Sequence, residues 1–342
     1  MDRMEFPKSK VYDRFPFFRL ESVLFHFGKI VCVLFIFCFP LVDALAQGAS
    51  GGEEFQVDGN FILVSSGNST NVLAYDVSNG AFVDVFASGG GLSQPRGFGL
   101  RPGVDLLVCN SFSDNVLQFS ALTGKFVRIF STPAGRPVGL TIGPDGSLFV
   151  GLPELDRVDQ YDGQTGEFLG TFVSAGSGGL DQPNNLLFHT DGNLYLASSL
   201  SADSVLRYDG TTGDFIDEFV SSGSGGLDDT QDLTFGPDGN LYVSSGETDE
   251  VLKYNGQTGA FMEAFVGAGS GGLDYPKGIR FGPDGHLYVC SYDTDEILRY
   301  DGQTGAFLDD FVKAGSGGLN GPINLEFHTV DTSSNDNWRA YE

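Results

Sequence analysis

The chain contains a unit of about 45 residues that occurs six times, and this repeat constrains the fold more than any other feature. Each copy has an aromatic anchor five positions before a glycine, and successive anchors lie 44, 42, 47, 46 and 46 residues apart. Each copy also holds four short runs of β-forming residues, separated by turn sequences such as Gly-Pro-Asp-Gly. The apolar period of a helical solenoid is absent, so the unit is typical of a β-propeller blade. The anchors are Tyr75, Phe119, Tyr161, Tyr208, Tyr254 and Tyr300.

The two ends of the repeat predict how the propeller closes. The first copy begins at its second strand, Phe61–Ser65, without the Pro-x-Gly strand that opens the other copies. The last copy is followed by an extra first strand, Pro322–Phe327. Joining this strand to the incomplete first blade hides both terminal sheet edges. The sequence therefore predicts an all-β, six-bladed β-propeller of four-stranded blades, closed by a C-terminal inner strand that completes blade one.

The N-terminal segment has the pattern of a secretory signal peptide. Lys29 is followed by the apolar run Ile30–Phe39 and then by the small-x-small cleavage signal Ala44-Leu45-Ala46. The run is about half the length that a membrane-spanning helix needs, so a membrane anchor is the less favoured alternative. We expect a signal peptide over 1–46, a linker over 47–60, the propeller over 61–328 and a disordered tail over 329–342. The protein is then secreted or periplasmic, and its mature chain has no integral membrane span.

The charge balance excludes several partners. The chain has 45 acidic and 19 basic residues, a net charge of −26. Removal of residues 1–46, which hold 6 basic and 5 acidic residues, leaves 13 basic and 40 acidic residues. Nucleic acids and anionic membrane surfaces attract clustered Lys and Arg, so neither is an expected partner. Cys109 and Cys290 lie on second strands of blades that are not neighbours, which predicts two buried thiols rather than a disulfide.

The repeat sequence Pro-x-Gly-[Leu/Ile]-x-Phe-Gly-Pro-Asp-Gly-x-Leu-Tyr-Val, followed by [Val/Ile]-Leu-x-Tyr-Asp, resembles NHL-type propeller repeats. It also resembles the propellers of streptogramin (virginiamycin B) lyases and gluconolactonase-like enzymes, over residues 55–328. The gluconolactonase resemblance implies a divalent metal held by acidic and amide side chains, for which Asn184 and Asp232 stand in comparable places. The first blade offers no matching glutamate, which weakens this implication.

The streptogramin lyase resemblance implies a histidine as general base. The three histidines of the mature chain are His189, His286 and His328, and each follows a first strand. That position lies on the face opposite the channel mouth where ligands are expected. We therefore interpret these histidines as solvated turn residues rather than catalytic ones.

Residues that open the inner strands form the candidate site, because propeller ligands usually bind where the blade loops meet the channel. The first ring position holds Arg96, Val138, Asn184, Gln231, Lys277 and Ile323 in the six blades. The second holds Gly97, Gly139, Asn185, Asp232, Gly278 and Asn324. The predicted ligand-binding residues are Arg96, Asn184, Asn185, Gln231, Asp232, Lys277 and Asn324.

The chemistry of this ring leaves alternatives open. Arg96 and Lys277 favour an anionic or carboxylate-bearing ligand, but each is alternatively paired with an acidic loop residue of its own or a neighbouring blade. The polar residues of blades four and five suit a sugar, or calcium or magnesium, but alternatively satisfy loop backbone. The acidic loops Glu247–Glu250 and Asp293–Glu296 are able to share a calcium ion, but a solvated acidic face is the more common outcome.

No nucleophile elbow, Walker loop or Cys-x-x-Cys pair is present in the sequence. We expect an exported, monomeric binding or interaction module that recognises a protein, carbohydrate or small anionic ligand at the channel mouth, without catalytic residues or an obligatory cofactor. The alternative is a metal-assisted lactonase or a streptogramin-lyase-like enzyme that uses the same face. Each fourth strand also carries Phe at positions i and i+4, which predicts that both pack between blades.

Overall fold

The computed structural model describes residues 60–101 and 104–329. The predicted signal peptide, the linker up to residue 59 and the tail from residue 330 lie outside the described residues. The described chain forms six antiparallel sheets of four strands each, which confirms the six-bladed propeller. Among the described residues, no helix is long and apolar enough to cross a membrane.

Blades two to six each take four consecutive strands, ordered from the channel outwards. Blades two and three contain β4 (Pro95–Arg101), β5 (Asp105–Asn110), β6 (Asn115–Ser120), β7 (Phe126–Ser131), β8 (Leu140–Ile142), β9 (Leu148–Leu152), β10 (Arg157–Tyr161) and β11 (Phe168–Val173). Blades four and five contain β12 (Pro183–Phe188), β13 (Asn193–Ser198), β14 (Ser204–Asp209), β15 (Phe215–Val220), β16 (Thr230–Phe235), β17 (Leu241–Ser245), β18 (Glu250–Tyr254) and β19 (Phe261–Val266). Blade six contains β20 (Pro276–Phe281), β21 (Leu287–Ser291), β22 (Glu296–Tyr300) and β23 (Phe307–Val312).

Blade one combines the two ends of the described chain, as the sequence predicts. Its outer strands are β1 (Asn60–Ser66), β2 (Asn71–Asp76) and β3 (Phe82–Ala87), and its inner strand is β24 (Pro322–Thr329). β24 pairs antiparallel with β1, with Phe61 opposite His328 and Val64 opposite Leu325. This pairing satisfies the edge that β1 would otherwise expose, so the last strand closes the ring.

The tight turns between inner and second strands follow from their Asp-Gly sequences. In blade five, Asp238 Oδ1 accepts the backbone N–H of Asn240 at 3.0 Å, and Gly239 adopts a left-handed φ of 75°. The other Asp238 oxygen accepts the Tyr242 hydroxyl at 3.1 Å and pairs with the Lys253 ammonium at 3.1 Å. The recurrent Asp-Gly pairs are therefore explained by turn chemistry.

The apolar core lies between the blades. The described residues form six clusters of buried side chains, and each cluster joins two adjacent blades. Tyr288 of blade six, for example, meets Phe327 of blade one edge-on with ring centroids 5.1 Å apart. Cys109 and Cys290 are free and buried in two different clusters, as predicted.

The first member of each phenylalanine pair is more exposed than the prediction that both pack between blades implies. In blade one, Phe86 is buried but Phe82 is exposed, and the same exposure of the first member recurs in every blade. The register of β3 shifts twice between Phe82 and Ala87, and such bulges interrupt the two-residue alternation that the prediction assumed. Phe82 packs edge-on against Tyr75 of its own blade, with ring centroids 5.9 Å apart.

Candidate functional site

The opening residues of the inner strands converge on one cavity at the mouth of the channel. Its empty volume is about 350 Å³, which includes space open to solvent. It is lined by all seven predicted ligand-binding residues and by Gly97, Val138, Gly278 and Ile323. The structure therefore brings the predicted ring positions together, with Gly139 the exception.

A recurrent bulge places these residues at the mouth. In β4, β12, β16 and β20, pairing with the second strand is interrupted directly after the opening residue, as between Pro276 and Ile279. The two residues in each interruption are the ring positions, so they leave the regular ladder and line the cavity. Gly278 allows the inner strands to approach closely, because a Cβ there would lie 2.7 Å from the Ile323 carbonyl oxygen.

In several blades the residue before the opening residue is held by an aspartate of the preceding blade. Tyr275 has a left-handed φ of 52°, which is rare for a bulky side chain. Its backbone N–H donates to Asp249 Oδ1 at 2.8 Å, and the N–H of Gly321 donates to Asp295 Oδ1 at 2.6 Å. Asp249 and Asp295 are therefore occupied by inter-blade hydrogen bonds, which favours a structural role over a shared calcium site.

Lys277 is a buried cation without a carboxylate partner among the described residues. Its side chain is 9% exposed, and its ammonium donates to Gln231 Oε1 at 3.2 Å. The ammonium also lies 4.8 Å from the centroid of the Tyr275 ring and 4.6 Å from that of Tyr292, within the range of cation–π attraction. Burial, and then the charge of Arg96, lower the pKa of Lys277 to about 8.

Arg96 lines the same cavity and is half-buried. It forms no ion pair with another described residue, and its buried Nε atom has no hydrogen-bond partner among them. Burial, followed by the charge of Arg136, lowers the pKa of its guanidinium. Two neighbouring cations thus lie at the channel mouth of a strongly acidic protein, and neither forms an ion pair with a carboxylate of the described chain. The charges of Asp229 and Asp293 partly oppose the lowering of the Lys277 pKa. The alternative in which each pairs with an acidic loop residue is wrong for the described chain.

Several other arginines of the described chain, in contrast to Arg96, are paired with a carboxylate. Arg157 pairs with Asp159 at 2.8 Å, Arg299 pairs with Asp309 at 2.6 Å, and Arg101 pairs with the buried Asp105. Charged groups of this protein that leave water are therefore usually compensated, as their desolvation cost requires. The two cations at the channel mouth depart from that pattern.

Asp232 has a different role from the one that the resemblance implies. It is 2% exposed and pairs with Arg280 at 2.8 Å, and Arg280 in turn lies 3.4 Å from Glu326. Asp232 also accepts the backbone N–H groups of Leu233 at 2.7 Å and Ile279 at 2.9 Å. Its carboxylate is thus fully engaged in a buried network that fixes the inner strands to one another.

The asparagine side chains of the ring form hydrogen bonds with neighbouring parts of the protein. The side-chain oxygens of Asn185 and Asn324 accept the next backbone N–H, at 2.8 and 2.9 Å, and Asn185 Nδ2 also donates to Asp232. Asn184 Nδ2 donates to the Thr230 carbonyl at 3.1 Å. These bonds satisfy loop and strand backbone, which is one of the two alternatives that the sequence left open.

The implied divalent metal does not fit these residues. Both oxygens of Asp232 already accept hydrogen bonds, and the Asn184 amide is turned with its nitrogen towards Thr230. Among the described residues, no cluster of three or more His, Cys, Asp or Glu side chains is arranged to hold a metal ion. A metal at this position would have to displace Arg280 from Asp232.

Sequence reasoning missed Tyr275 and Tyr292, the two rings that hold the Lys277 ammonium. The Tyr275 hydroxyl also donates to Asp229 Oδ2, which accepts the Gln231 amide at 2.6 Å. A signal was present, since Tyr275 stands where blades four and five have Gln182 and Asp229 before the opening residue.

The histidines do not line the cavity, but two of them are not the solvated residues that we predicted. His328 is 1% exposed, lies edge-on to Phe86 and has its pKa lowered to about 4 by burial. His189 is half-buried and stacks on Phe235 with ring centroids 3.7 Å apart. His286 is half-buried and accepts the Gly302 N–H at 3.4 Å. Packing against Phe235 of the next blade removes His189 from full solvation, and packing within blade one, against Phe86, does the same for His328.

Comparisons with known proteins support the fold alone. No family model and no curated protein matches the sequence. A chain in the crystal structure of the nidogen/laminin complex is similar, with a TM-score of 0.64, 14% identity, and coverage of 79% of this chain and 98% of that one. A protein of unknown function from Bacteroides caccae gives a TM-score of 0.62 at 13% identity, covering 78% and 98% of the two chains. Hydrazine synthase from Kuenenia stuttgartiensis gives a TM-score of 0.53 at 18% identity, covering 74% and 80%.

Proposed function

We propose that this protein is an exported binding module whose channel-mouth cavity recognises an anionic group of a ligand or partner. The observation that carries the proposal is the pair formed by the half-buried Arg96 and the buried Lys277, two cations in one cavity that form no ion pair in the described chain. Export rests on the predicted signal peptide. The NHL-type resemblance supports a role in recognition rather than one defined reaction.

The electrostatics favour a carboxylate or a similar small anion as the recognised group. Bringing two like charges out of water is costly, and a ligand anion supplies the missing counter-charge to both. Arginine suits a carboxylate through paired N–H donors, while lysine acts as a compact point charge. Val138 and Ile323 line the same cavity and provide apolar contact for the body of the ligand.

The anionic group belongs either to a small molecule or to a side chain of a protein partner. The nidogen/laminin structure supports the second source, because that similar propeller is part of a protein complex. A carbohydrate without an acidic group is less well matched, since the two cations would remain uncompensated. The cavity geometry is compatible with either source of a carboxylate.

Thermal unfolding with propionate as the probe tests the proposal. A ligand that binds only the folded state stabilises it by mass action, and a gain of about 1 kcal/mol raises the Tm by about 2–4 °C. We expect this rise with propionate but not with neutral propionamide, and its loss in Arg96→Gln and Lys277→Gln. Lys313→Gln is the matched control, because Lys313 is exposed and does not line the cavity. Equal shifts in all four proteins would exclude the cavity as the site.

The alternative function is a metal-assisted lactonase or a lyase of the streptogramin type. It requires a metal ligand set or a general base at the mouth. The engagement of Asp232 by Arg280 and two backbone N–H groups argues against that role for the best-placed carboxylate. We therefore favour binding over catalysis by these residues.

A further inference from the structure

We propose that Lys277 forms a reversible imine with the carbonyl carbon of a small oxo acid, whose carboxylate is held by Arg96. The inference rests on the proposed anion site and adds a covalent step to it. It also assigns a ligand class, a short chain that carries a carboxylate and an adjacent ketone or aldehyde.

The surroundings of Lys277 leave its amine available to a ligand in the cavity. Its hydrogen-bond acceptor is the neutral Gln231 amide at 3.2 Å, rather than a carboxylate that would hold the proton strongly. The side chain lines the cavity, which opens to solvent. The amine thus combines burial, which disfavours its charged form, with access from the channel mouth.

The positive charge of Arg96 also disfavours the protonated form of the Lys277 amine. Repulsion from Arg96 adds to the effect of burial, and lysines in desolvated sites next to another cation are activated as nucleophiles. With a pKa of about 8, about one molecule in ten carries the neutral amine at pH 7. The Arg96 guanidinium repels the Lys277 ammonium and attracts the carboxylate of the oxo acid. Arg96 therefore both activates the amine and orients the ligand.

The reaction balances without an oxidant or a reductant. The neutral Lys277 amine attacks the carbonyl carbon, the C–N bond forms as the C=O π bond breaks, and a proton passes from the nitrogen to the oxygen to give a carbinolamine. The hydroxyl of the carbinolamine then takes up a proton from solvent water at the open cavity and leaves as water, which gives the protonated imine. Addition of water to the imine reverses the reaction. A ligand of three or four carbon atoms places its alkyl end against Val138 and Ile323, which line the same cavity.

Reductive trapping of the full chain with pyruvate and cyanoborohydride tests the inference. We expect one reduced pyruvyl group on the tryptic peptide that contains Lys277, with Lys253 and Lys313 as internal controls. Lys277→Arg keeps the positive charge but cannot form an imine, so we expect it to lose the adduct. Arg96→Gln should lower trapping of neutral propanal because the amine is less activated, and it should lower trapping of pyruvate about tenfold further because only pyruvate carries a carboxylate.

The outcomes separate this inference from the proposed function. If propionate stabilises the protein but pyruvate does not label Lys277, the imine is excluded and the anion site stands. If pyruvate labels Lys253 or Lys313 as strongly as Lys277, the assignment to Lys277 is wrong. If Arg96→Gln affects pyruvate and propanal equally, Arg96 does not orient the carboxylate. If neither propionate nor pyruvate has an effect at Lys277, both proposals fail.

Discussion

The Lys277 ammonium donates a hydrogen bond to Gln231 Oε1 at 3.2 Å, and the amide nitrogen of Gln231 donates to Asp229 Oδ2 at 2.6 Å. The neutral amide thus separates the buried cation from the nearest carboxylate in this chain of hydrogen bonds. Tyr275 completes the arrangement, because its hydroxyl donates to Asp229 and its ring covers the Lys277 ammonium. The positive charge is held in place without a direct ion pair, and the more distant carboxylates of Asp229 and Asp293 compensate it only in part.

Gln231→Glu would remove that separation by placing a carboxylate beside the ammonium. We expect the pKa of Lys277 to rise, because an opposite charge at this distance favours the protonated amine. The affinity for propionate should fall at least about tenfold, since the protein then supplies its own counter-charge. Titration followed by thermal shift measures the change. Gln164→Glu is the control, because it adds the same charge at an exposed turn residue outside the cavity. An equal loss of affinity in the control would mean that net charge alone is responsible.

The buried charge of Lys277 should destabilise the folded protein, and this destabilisation should decrease as the pH rises. Its pKa in the folded protein, about 8, is below the usual value of 10.5, so the unfolded chain binds more protons between these two values. The free energy of unfolding therefore rises with pH across this window, and the destabilisation by the Lys277 charge is largest below pH 8. Lys277→Met lacks the group, so we expect the variant to be more stable by about 1–3 kcal/mol at pH 7.

The difference in unfolding free energy between the wild type and Lys277→Met should decrease from pH 7.5 to pH 9.5 in urea unfolding experiments. The buried tyrosines, whose pKa values are raised by desolvation, are shared by both proteins, so their contribution cancels in the difference. A gap that stays constant over the window would show that Lys277 does not titrate there.

Arg280 should contribute far more to stability than an arginine whose partner carboxylate is exposed. Arg280→Met leaves the carboxylates of Asp232 and Glu326 without a counter-charge, and the expected loss is about 3–5 kcal/mol of unfolding free energy. Arg299→Met is the matched control, because its partner Asp309 is 47% exposed and the loss there should be about 1 kcal/mol or less. Equal losses in denaturant melts would contradict the buried network as a structural element.

The sequence was sufficient to predict the fold because each blade repeats the same turn chemistry at a regular spacing. The missing first strand before Phe61 and the extra strand after Pro322 also determined how the ring closes, which the pairing of β24 with β1 confirms. The faces of the fourth strands were not predictable in the same way. The register of β3 shifts twice between Phe82 and Ala87, and no residue pattern in the strand indicates these shifts.

The ring positions were found by aligning the repeats, but the partners of their side chains were not. Whether Arg96 and Lys277 meet a carboxylate depends on loops that come from several blades, and the sequence offered many acidic candidates. Asp232 was a candidate ligand until the structure placed Arg280 beside it. Local spacing identifies which residues reach the mouth, whereas charge compensation is a property of the assembled ring.

Closure of the ring by β24 should be required for the stability of the whole domain. Deleting residues 321–342 removes the strand that pairs with β1 and exposes a row of unpaired backbone groups in blade one. It also removes the contacts of Asn324 with Ser65 and of Glu326 with Arg280. A loss of this extent exceeds the usual net stability of about 5–15 kcal/mol, so we expect no cooperative thermal transition by circular dichroism. A chain that ends at Thr329 is the matched control, because it retains all 24 described strands. If the shorter chain melts like the control, closure by the last strand does not hold the propeller together.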